Sequence, residues 1–406
     1  MTHQELRAQI PFLDTIVYMD YASVVPACDR VLASVNEFSM KYPLNYGVGV
    51  FPAAREACAK VDEARAKLAG FINAKEASEI IFTKNTTEAI NLVAFGGPWE
   101  KGDEIILTSL EHQSNMMPWI RLQKEKGVVL KIAQADIEGF IHPETVQALV
   151  TPKTKLINVT YVSNIYGTIT PVNEIGKIAK QVGAYYMIDS AQAGGRIPMD
   201  VQASGCDFMS ICGRKSMMGP QGTGALYLRK EVSDQLKPMN MGSRAGHVLD
   251  IDTITLNAAP YRFEAGVLNT SGVIGLGTAV DVLSDIGLEK VQNRIAWLTQ
   301  YMIDQLLTIP EVILFGTHDA SRIAGVISWN AKGHSCEEVA TKLGDFGIGV
   351  ASGSQGSLMA IEPLGIKSVI RSSVHYPSTF EDIDKMIAAL KQILSGSSVV
   401  CVGKKN

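Results

Sequence analysis

Cysteine is sparse in this chain: Cys28, Cys58, Cys206, Cys212, Cys336 and Cys401 are scattered through 406 residues, with no CxxC pair. That spacing supports neither a disulfide framework nor a zinc site, and reduced, cytosolic thiols are the natural reading. Charge of one sign is also missing. The 37 Lys plus Arg stand against 41 Asp plus Glu, a formal −4, and no run of four basic residues occurs. Nucleic acid is therefore excluded as an expected partner. No uninterrupted apolar stretch reaches 18 residues, and the polar start Met1–Ile10 has no apolar segment behind it. Neither a membrane span nor a secretory signal is expected, and the expected location is cytoplasmic. Disorder is excluded as well, because 46% of the residues are hydrophobic and only 19% are charged.

What is present is alternation. Short β-branched runs at Glu79–Phe82, Glu104–Thr108, Val129–Ile132, Lys155–Tyr161, Tyr185–Asp189, Asp207–Cys212 and Gly224–Leu228 read as strands. Between most of them lie stretches of 3.6-residue apolar periodicity, such as Arg55–Phe71, Thr87–Ala94 and Val172–Val182. Strand and helix in alternation predict an α/β fold, a mainly parallel seven-stranded sheet covered on both faces. After Gly272 the pattern changes to one long helical stretch through Ile309. Strands follow near Val312–Phe315, Ile323–Asn330, Gly347–Ser352 and Val369–His375, with helices near Cys336–Leu343 and Thr379–Leu394. The expected organisation is a large domain over 20–270, a smaller α+β domain formed by 1–19 and 271–395, and a fraying tail over 396–406.

Three polar residues fall at or just past the carboxyl ends of expected strands, where open α/β sheets place their ligands: His112, Asp189 and Lys215. Singly, each has an ordinary reading as a loop histidine, a turn-capping carboxylate or a surface charge. Their convergence on one sheet edge changes the balance. The run Asn85-Thr86-Thr87-Glu88 opens a helix, and a helix N-terminus offers unpaired N–H donors and a positive dipole end to a phosphate. An ordinary N-cap would look the same. A lysine able to form a Schiff base and a carboxylate able to hold a pyridinium nitrogen complete the description of a pyridoxal phosphate site.

The runs Met187-Ile188-Asp189-Ser190-Ala191-Gln192-Ala193, Gly213-Arg214-Lys215 and Gly219-Pro220-Gln221-Gly222-Thr223-Gly224 resemble the cofactor core of class V aminotransferases, most closely the cysteine desulfurase and selenocysteine lyase branch. Further matches are Thr86 to Ala94, Glu111-His112 with Asn115, Val162-Ser163-Asn164, Arg262 to Gly266, and Arg371, in the family's order from about Pro11 to Leu394. The resemblance implies pyridoxal 5'-phosphate bound through Lys215, which would also shuttle the substrate's α-proton. Asp189 would pair with the ring nitrogen, Gln192 with the ring hydroxyl, His112 would stack on the ring, and Thr86 and Thr87 would serve the phosphate. Asn164 and Arg371 match the positions that hold the substrate carboxylate, a task suited to the planar fork of arginine. The Arg262–Gly266 segment implies a homodimer in which it reaches toward the neighbouring cofactor.

The match fails on the substrate side. The loop that should carry a sulfur-accepting cysteine reads Val350-Ala351-Ser352-Gly353-Ser354-Gln355-Gly356-Ser357, and the family cysteine aligns with Gly356. The family's loop arginine is Ala351, its His-Arg after Asn45 is replaced in Tyr46-Gly47-Val48, and its entry motif appears as Tyr21-Ala22-Ser23-Val24. On the cofactor side Ser-Gly-His becomes Cys212-Gly213-Arg214, with Arg214 positioned to offset lost hydroxyls at the phosphate, and Val267 replaces a threonine. Cys336, in an expected helix, reads as a packed small hydrophobe. The expected function is a pyridoxal-phosphate enzyme acting on a small amino acid without a protein persulfide. C–S β-elimination comes foremost, with transamination and epimerisation beside it. The alternatives are desulfuration with sulfur taken by an external thiol or by another cysteine brought in through motion, a sulfur-acceptor protein being left open, and a non-catalytic cofactor-binding scaffold.

Overall fold

In a computed structural model the described residues are 1–395 apart from Asn45 and Val48. The expected fraying tail and the replaced His-Arg position at Val48 lie outside them. Seven strands, Ile80–Thr83, Glu104–Thr108, Val129–Ala133, Thr154–Thr160, Tyr185–Asp189, Phe208–Cys212 and Gly224–Leu228, form the central sheet. In chain order its strands lie 1-7-6-5-4-2-3 across the sheet, and only the Gly224–Leu228 strand runs antiparallel to its neighbours. The central strands are buried along almost their whole length, as sequences rich in Ile, Val and Met require when helices cover both faces.

Register sets the chemistry at the carboxyl edge. Thr160 lies beside Asp189, and Asp189 beside Ser210, so the ends of three adjacent strands meet at one level. The helix Thr86–Gly96 starts at the same edge, where Asn85 Oδ1 accepts the Glu88 N–H at 2.9 Å and the Glu88 carboxylate accepts the Lys84 N–H at 2.6 Å. Those two bonds satisfy donors at the helix start and fix its direction.

Val312–Phe315, Val326–Ala331, Ala351–Gly353 and Val369–Ser373 build a second, four-stranded antiparallel sheet. Two expectations are corrected here. The helical stretch through Ile309 is two helices, Thr270–Ile286 and Leu288–Leu307, bent by 76°. Gly287, at φ +87, makes the break with a backbone conformation that other residues adopt only under strain. The single strand expected at Gly347–Ser352 is also divided. Ile348–Gly349 pairs in parallel with Val17–Tyr18, and Ala351–Gly353 joins the four-stranded sheet, so the chain changes partner at Val350.

Candidate active site

Lys215, His112, Thr86, Thr87, Asp189, Gln192, Arg214, Asn164 and Arg371 all line one cavity of about 330 Å³. The cavity lies at the carboxyl edge of the central sheet, between that edge, the N-terminal segment at Ala22–Ser23 and the loop at Gln355.

Lys215 follows the Phe208–Cys212 strand in a turn closed by the Met218 N–H donating to its carbonyl at 2.9 Å. Burial lowers the pKa of its amine below the usual lysine value, with Cys212 and Asp189 pushing the other way. A lysine so placed loses its proton more readily and becomes a nucleophile. Asp189 is buried, and its Oδ1 accepts from the Ala191 N–H at 3.0 Å and the Ser210 hydroxyl at 2.9 Å. His112 is the N-cap of a short turn, and its Nδ1 accepts the Ser114 N–H at 3.1 Å. Burial, reinforced by the Lys215 and Arg371 charges, lowers its pKa, so the ring is a neutral imidazole at neutral pH. Beneath it, Glu111 accepts from the Thr108 hydroxyl at 2.6 Å, Asn115 Nδ2 at 2.7 Å and the Thr160 N–H at 2.8 Å. Burial raises the Glu111 pKa to about 8, helped by Asp189, and its hydrogen bonds tie the His112 turn to the strand beside Asp189.

A pyridoxal phosphate ring fits the donors and acceptors left over. Gln192 Nε2 donates to the Ala22 carbonyl at 2.9 Å, while its buried Oε1 meets no donor among the described residues. Asp189 keeps an oxygen free of the two bonds described, and the first amides of the Thr86–Gly96 helix point outward at its N-terminus. Thr86 is buried and Thr87 exposed. Such orphaned groups in a cavity are what a bound polar ligand satisfies.

At three of the expected positions the structure adds contacts within the chain. Arg214 is tied at one nitrogen to the Ser23 carbonyl at 2.7 Å, so its charge also fastens the N-terminal segment over the cavity. Asn164, expected beside Arg371 on the carboxylate, lines the cavity with it, and there its Nδ2 donates to the Gln355 carbonyl at 2.9 Å and its Oδ1 accepts the Ser357 hydroxyl at 2.8 Å. Only its backbone carbonyl meets Arg371, at 3.3 Å. The third concerns Arg262–Gly266. Arg262 pairs with Asp234 at 2.9 Å, and buried Glu264 binds Arg65 through two bonds of 2.6 and 2.9 Å. These side chains brace their own subunit.

Sequence reasoning missed Asp20, Ser23 and Gln355 as site residues. Arg371 Nη2 reaches Asp20 Oδ1 at 3.0 Å and the Ser23 hydroxyl at 2.8 Å. The signal was the altered entry motif around Tyr21-Ala22-Ser23, whose spatial neighbour was invisible in one dimension. Cys212, noted only as a substitution, is the one cysteine lining the cavity among the described residues. Cys336 lies elsewhere, bonded to Asn330 Oδ1 at 3.0 Å and near the Ser368 hydroxyl at 3.4 Å.

A mostly parallel sheet that brings a lysine, a strand-end carboxylate and a helix N-terminus to one cavity defines a pyridoxal-phosphate enzyme of fold type I. Residues 17–386 match the family described as aminotransferase class-V, and the chain belongs to that family. It is 38% identical over 399 residues to a probable cysteine desulfurase of Methanothermobacter thermautotrophicus, covering 97% of this chain and 98% of the relative. A cysteine desulfurase structure from Thermococcus onnurineus superposes with a TM-score of 0.94 at 33% identity, covering 97% and 98% of the two chains. The fold is also that of a cystine C–S lyase solved with its product cysteine persulfide, at TM-score 0.84 and 21% identity, covering 94% and 99%.

Proposed function

We propose that this enzyme carries out β-elimination on a small amino acid with a leaving group on Cβ, giving pyruvate, ammonia and the protonated leaving group with uptake of one water. The observation that carries this reading is the Ala351–Ser357 loop, which holds no thiol and is docked into the site. Gly356 O accepts the Gln113 N–H at 2.7 Å, and a Cβ on Gly356 would come within 2.5 Å of His112 Nε2. Pyridoxal phosphate supplies the electron sink for the α-carbon when it is bound. Lys215 would hold it and then move the α-proton, Asp189 would keep its ring nitrogen charged, and Arg371 would fix the substrate carboxylate. No oxidant and no protein sulfur acceptor are required.

Purified enzyme given cysteine, cystine, alanine and aspartate in parallel tests this reading. Pyruvate and ammonia formed in equal amounts from a substrate with a leaving group support it, whereas amino-group transfer or racemisation alone refutes it. One observation favours desulfuration as a second reading: Cys212 stands in the cavity. Mass spectrometry after incubation with labelled cysteine separates the two, because a stoichiometric persulfide on Cys212, competent to pass sulfur on, assigns the desulfurase reaction.

The carboxylate clamp yields its own prediction. Asp20 already pairs with Arg371, so an incoming carboxylate competes with it. Arg371→Ala is expected to weaken amino-acid binding roughly 10- to 100-fold, the loss of a charge-assisted pair, while cofactor absorption stays intact. Asp20→Asn should tighten binding. Titration of the cofactor absorption with substrate reads both, and unchanged affinity in both variants removes Arg371 from the site.

We also propose a C2 homodimer. Ile251 is 95% exposed, Val248 77% and Val267 70%, an apolar surface on and beside the hairpin Gly246–Val248/Ile254–Leu256. Apolar residues gathered this way mark a contact surface, and homo-oligomers close most often about a twofold axis. Light scattering should give twice the 43.9 kDa chain mass, and Ile251→Glu with Val248→Glu should shift it toward the single chain. A wild-type mass of one chain at micromolar concentration would sink the dimer.

A further inference from the structure

We infer that Gln355 is a specificity residue, whose side-chain amide recognises an oxygen acceptor carried by the substrate's own side chain. This rests on the reading of the cavity as an amino-acid site. Gln355 lines that cavity together with Lys215, His112 and Arg371. Its Nε2 is shielded from solvent and finds no acceptor among the described residues. A buried N–H donor without a partner is unfavourable, and native structures keep one mainly where a ligand or water completes it.

A second observation is independent of the first. Gln355 has φ +52, in the left-handed region that a residue with a Cβ adopts at a cost. The surrounding bonds hold it there. Asn164 Nδ2 donates to its carbonyl at 2.9 Å, the Gln113 N–H donates to the next carbonyl at 2.7 Å, and Ser357 is bonded to Asn164 Oδ1 at 2.8 Å and through its N–H to the Ser354 carbonyl at 3.0 Å. Strain over-determined by its neighbours at the wall of a site serves to aim a group. Relaxing the strain would need only a glycine at this position, yet the chain keeps a long amide side chain here.

The chemical class of the ligand follows from the neighbours. Arg371 is the cation for the α-carboxylate, and the Gln355 amide stands on the loop fastened to Asn164, whose carbonyl Arg371 also meets. A group reaching Gln355 from a substrate held by Arg371 is therefore the substituent on Cβ. An N–H donor selects an acceptor, and the positive charges of Arg214 and Arg371 at the cavity favour an anionic one over an ammonium. The expected substrates carry a carboxylate-like or carbonyl oxygen one or two bonds beyond Cβ, in preference to a plain alkyl side chain.

The test uses the cofactor-loaded enzyme and reads binding from the shift in its visible absorption, separately from product formation. L-Aspartate, L-asparagine, L-2-aminobutyrate and L-2,3-diaminopropionate are titrated into wild type, Gln355→Leu and Gln355→Gly. In wild type, aspartate and asparagine should bind more tightly than aminobutyrate, and diaminopropionate most weakly. In both variants the preference of aspartate over aminobutyrate should fall roughly 10- to 100-fold, while aminobutyrate affinity changes less than about twofold. The glycine variant relieves the backbone strain, so a loss there reports the amide and not a misfolded loop. Equal affinities for aspartate and aminobutyrate in wild type, or a preference that survives both substitutions, overturns the assignment. Failure of all four to bind overturns it together with the amino-acid reading. Intact selectivity without pyruvate from any leaving-group substrate leaves Gln355 in place and refutes β-elimination alone.

Discussion

Lys215→Ala is expected to abolish the borohydride-reducible link between protein and cofactor and to lower turnover by about 10³-fold or more. Removing a positioned acid–base group costs about 10²- to 10⁴-fold, and this residue also supplies the covalent attachment, which places the loss toward the upper end. Among the described residues no other lysine lines the cavity. The cavity's other cations, Arg214 and Arg371, are arginines bonded to Ser23 and Asp20, and an arginine does not give up its proton near neutral pH. Added ethylamine or a similar small amine should restore part of the turnover without restoring the protein link. Reduction with borohydride followed by peptide mapping makes the assignment definite: the label belongs on the peptide containing Gly213-Arg214-Lys215, and a label on any other lysine refutes the site.

The second large effect lies in the loop. Gly356 has φ +72, and a Cβ built there would meet His112 Nε2 at 2.5 Å and Cδ2 at 2.9 Å. Both facts oppose a side chain at this position while the loop and the His112 ring keep their conformation. Gly356→Ala should destabilise the protein by about 1–2 kcal/mol from the backbone conformation alone, with a further loss if the His112 ring cannot move aside. Because the ring is expected against the cofactor, the visible absorption should shift as well. Gly356→Cys meets the same obstacle, so installing the thiol should fail to create stoichiometric persulfide from cysteine. Thermal melts, absorption spectra and intact mass with labelled cysteine test the three statements. A cysteine variant with wild-type melting temperature and full persulfide loading would show that the docked loop opens freely and that the missing thiol alone blocks desulfuration.

The two predictions differ in how far a reader of the sequence could have reached them. Lys215, Asp189, Gln192 and His112 were legible because each ends or closely follows a buried apolar strand, and parallel strands deliver their carboxyl ends to one edge. Boundaries of the central strands moved by a residue at most, since burial on both faces leaves a continuous apolar signal. The helix Asp29–Lys41 and the hairpin Gly246–Val248/Ile254–Leu256 were not foreseen. The helix does repeat its apolar residues at Val31, Val35 and Phe38, a signal the sequence reading passed over, whereas the hairpin is mostly exposed and imprints none. The strand expected from Ile323 starts at Val326 because Gly325, at φ +75, turns the chain first.

What the amino-acid order determined by itself is the cofactor half: the alternation of strand and helix, the sheet edge, and the residue types that a pyridoxal ring and phosphate demand. These signals are local, written in runs of a few residues with fixed periodicity. The substrate half was decided by tertiary structure. Asp20 reaches Arg371 across 351 positions, and Asn164 reaches Gln355 across 191. Neither pairing leaves a trace in spacing, because each depends on how the N-terminal segment and the second sheet settle onto the first. The docked loop is the same case. Gly356 in sequence is only an absent thiol, and its contact with His112 and the aim of the Gln355 amide exist only once hydrogen bonds from distant residues hold that backbone in a conformation it would not adopt alone.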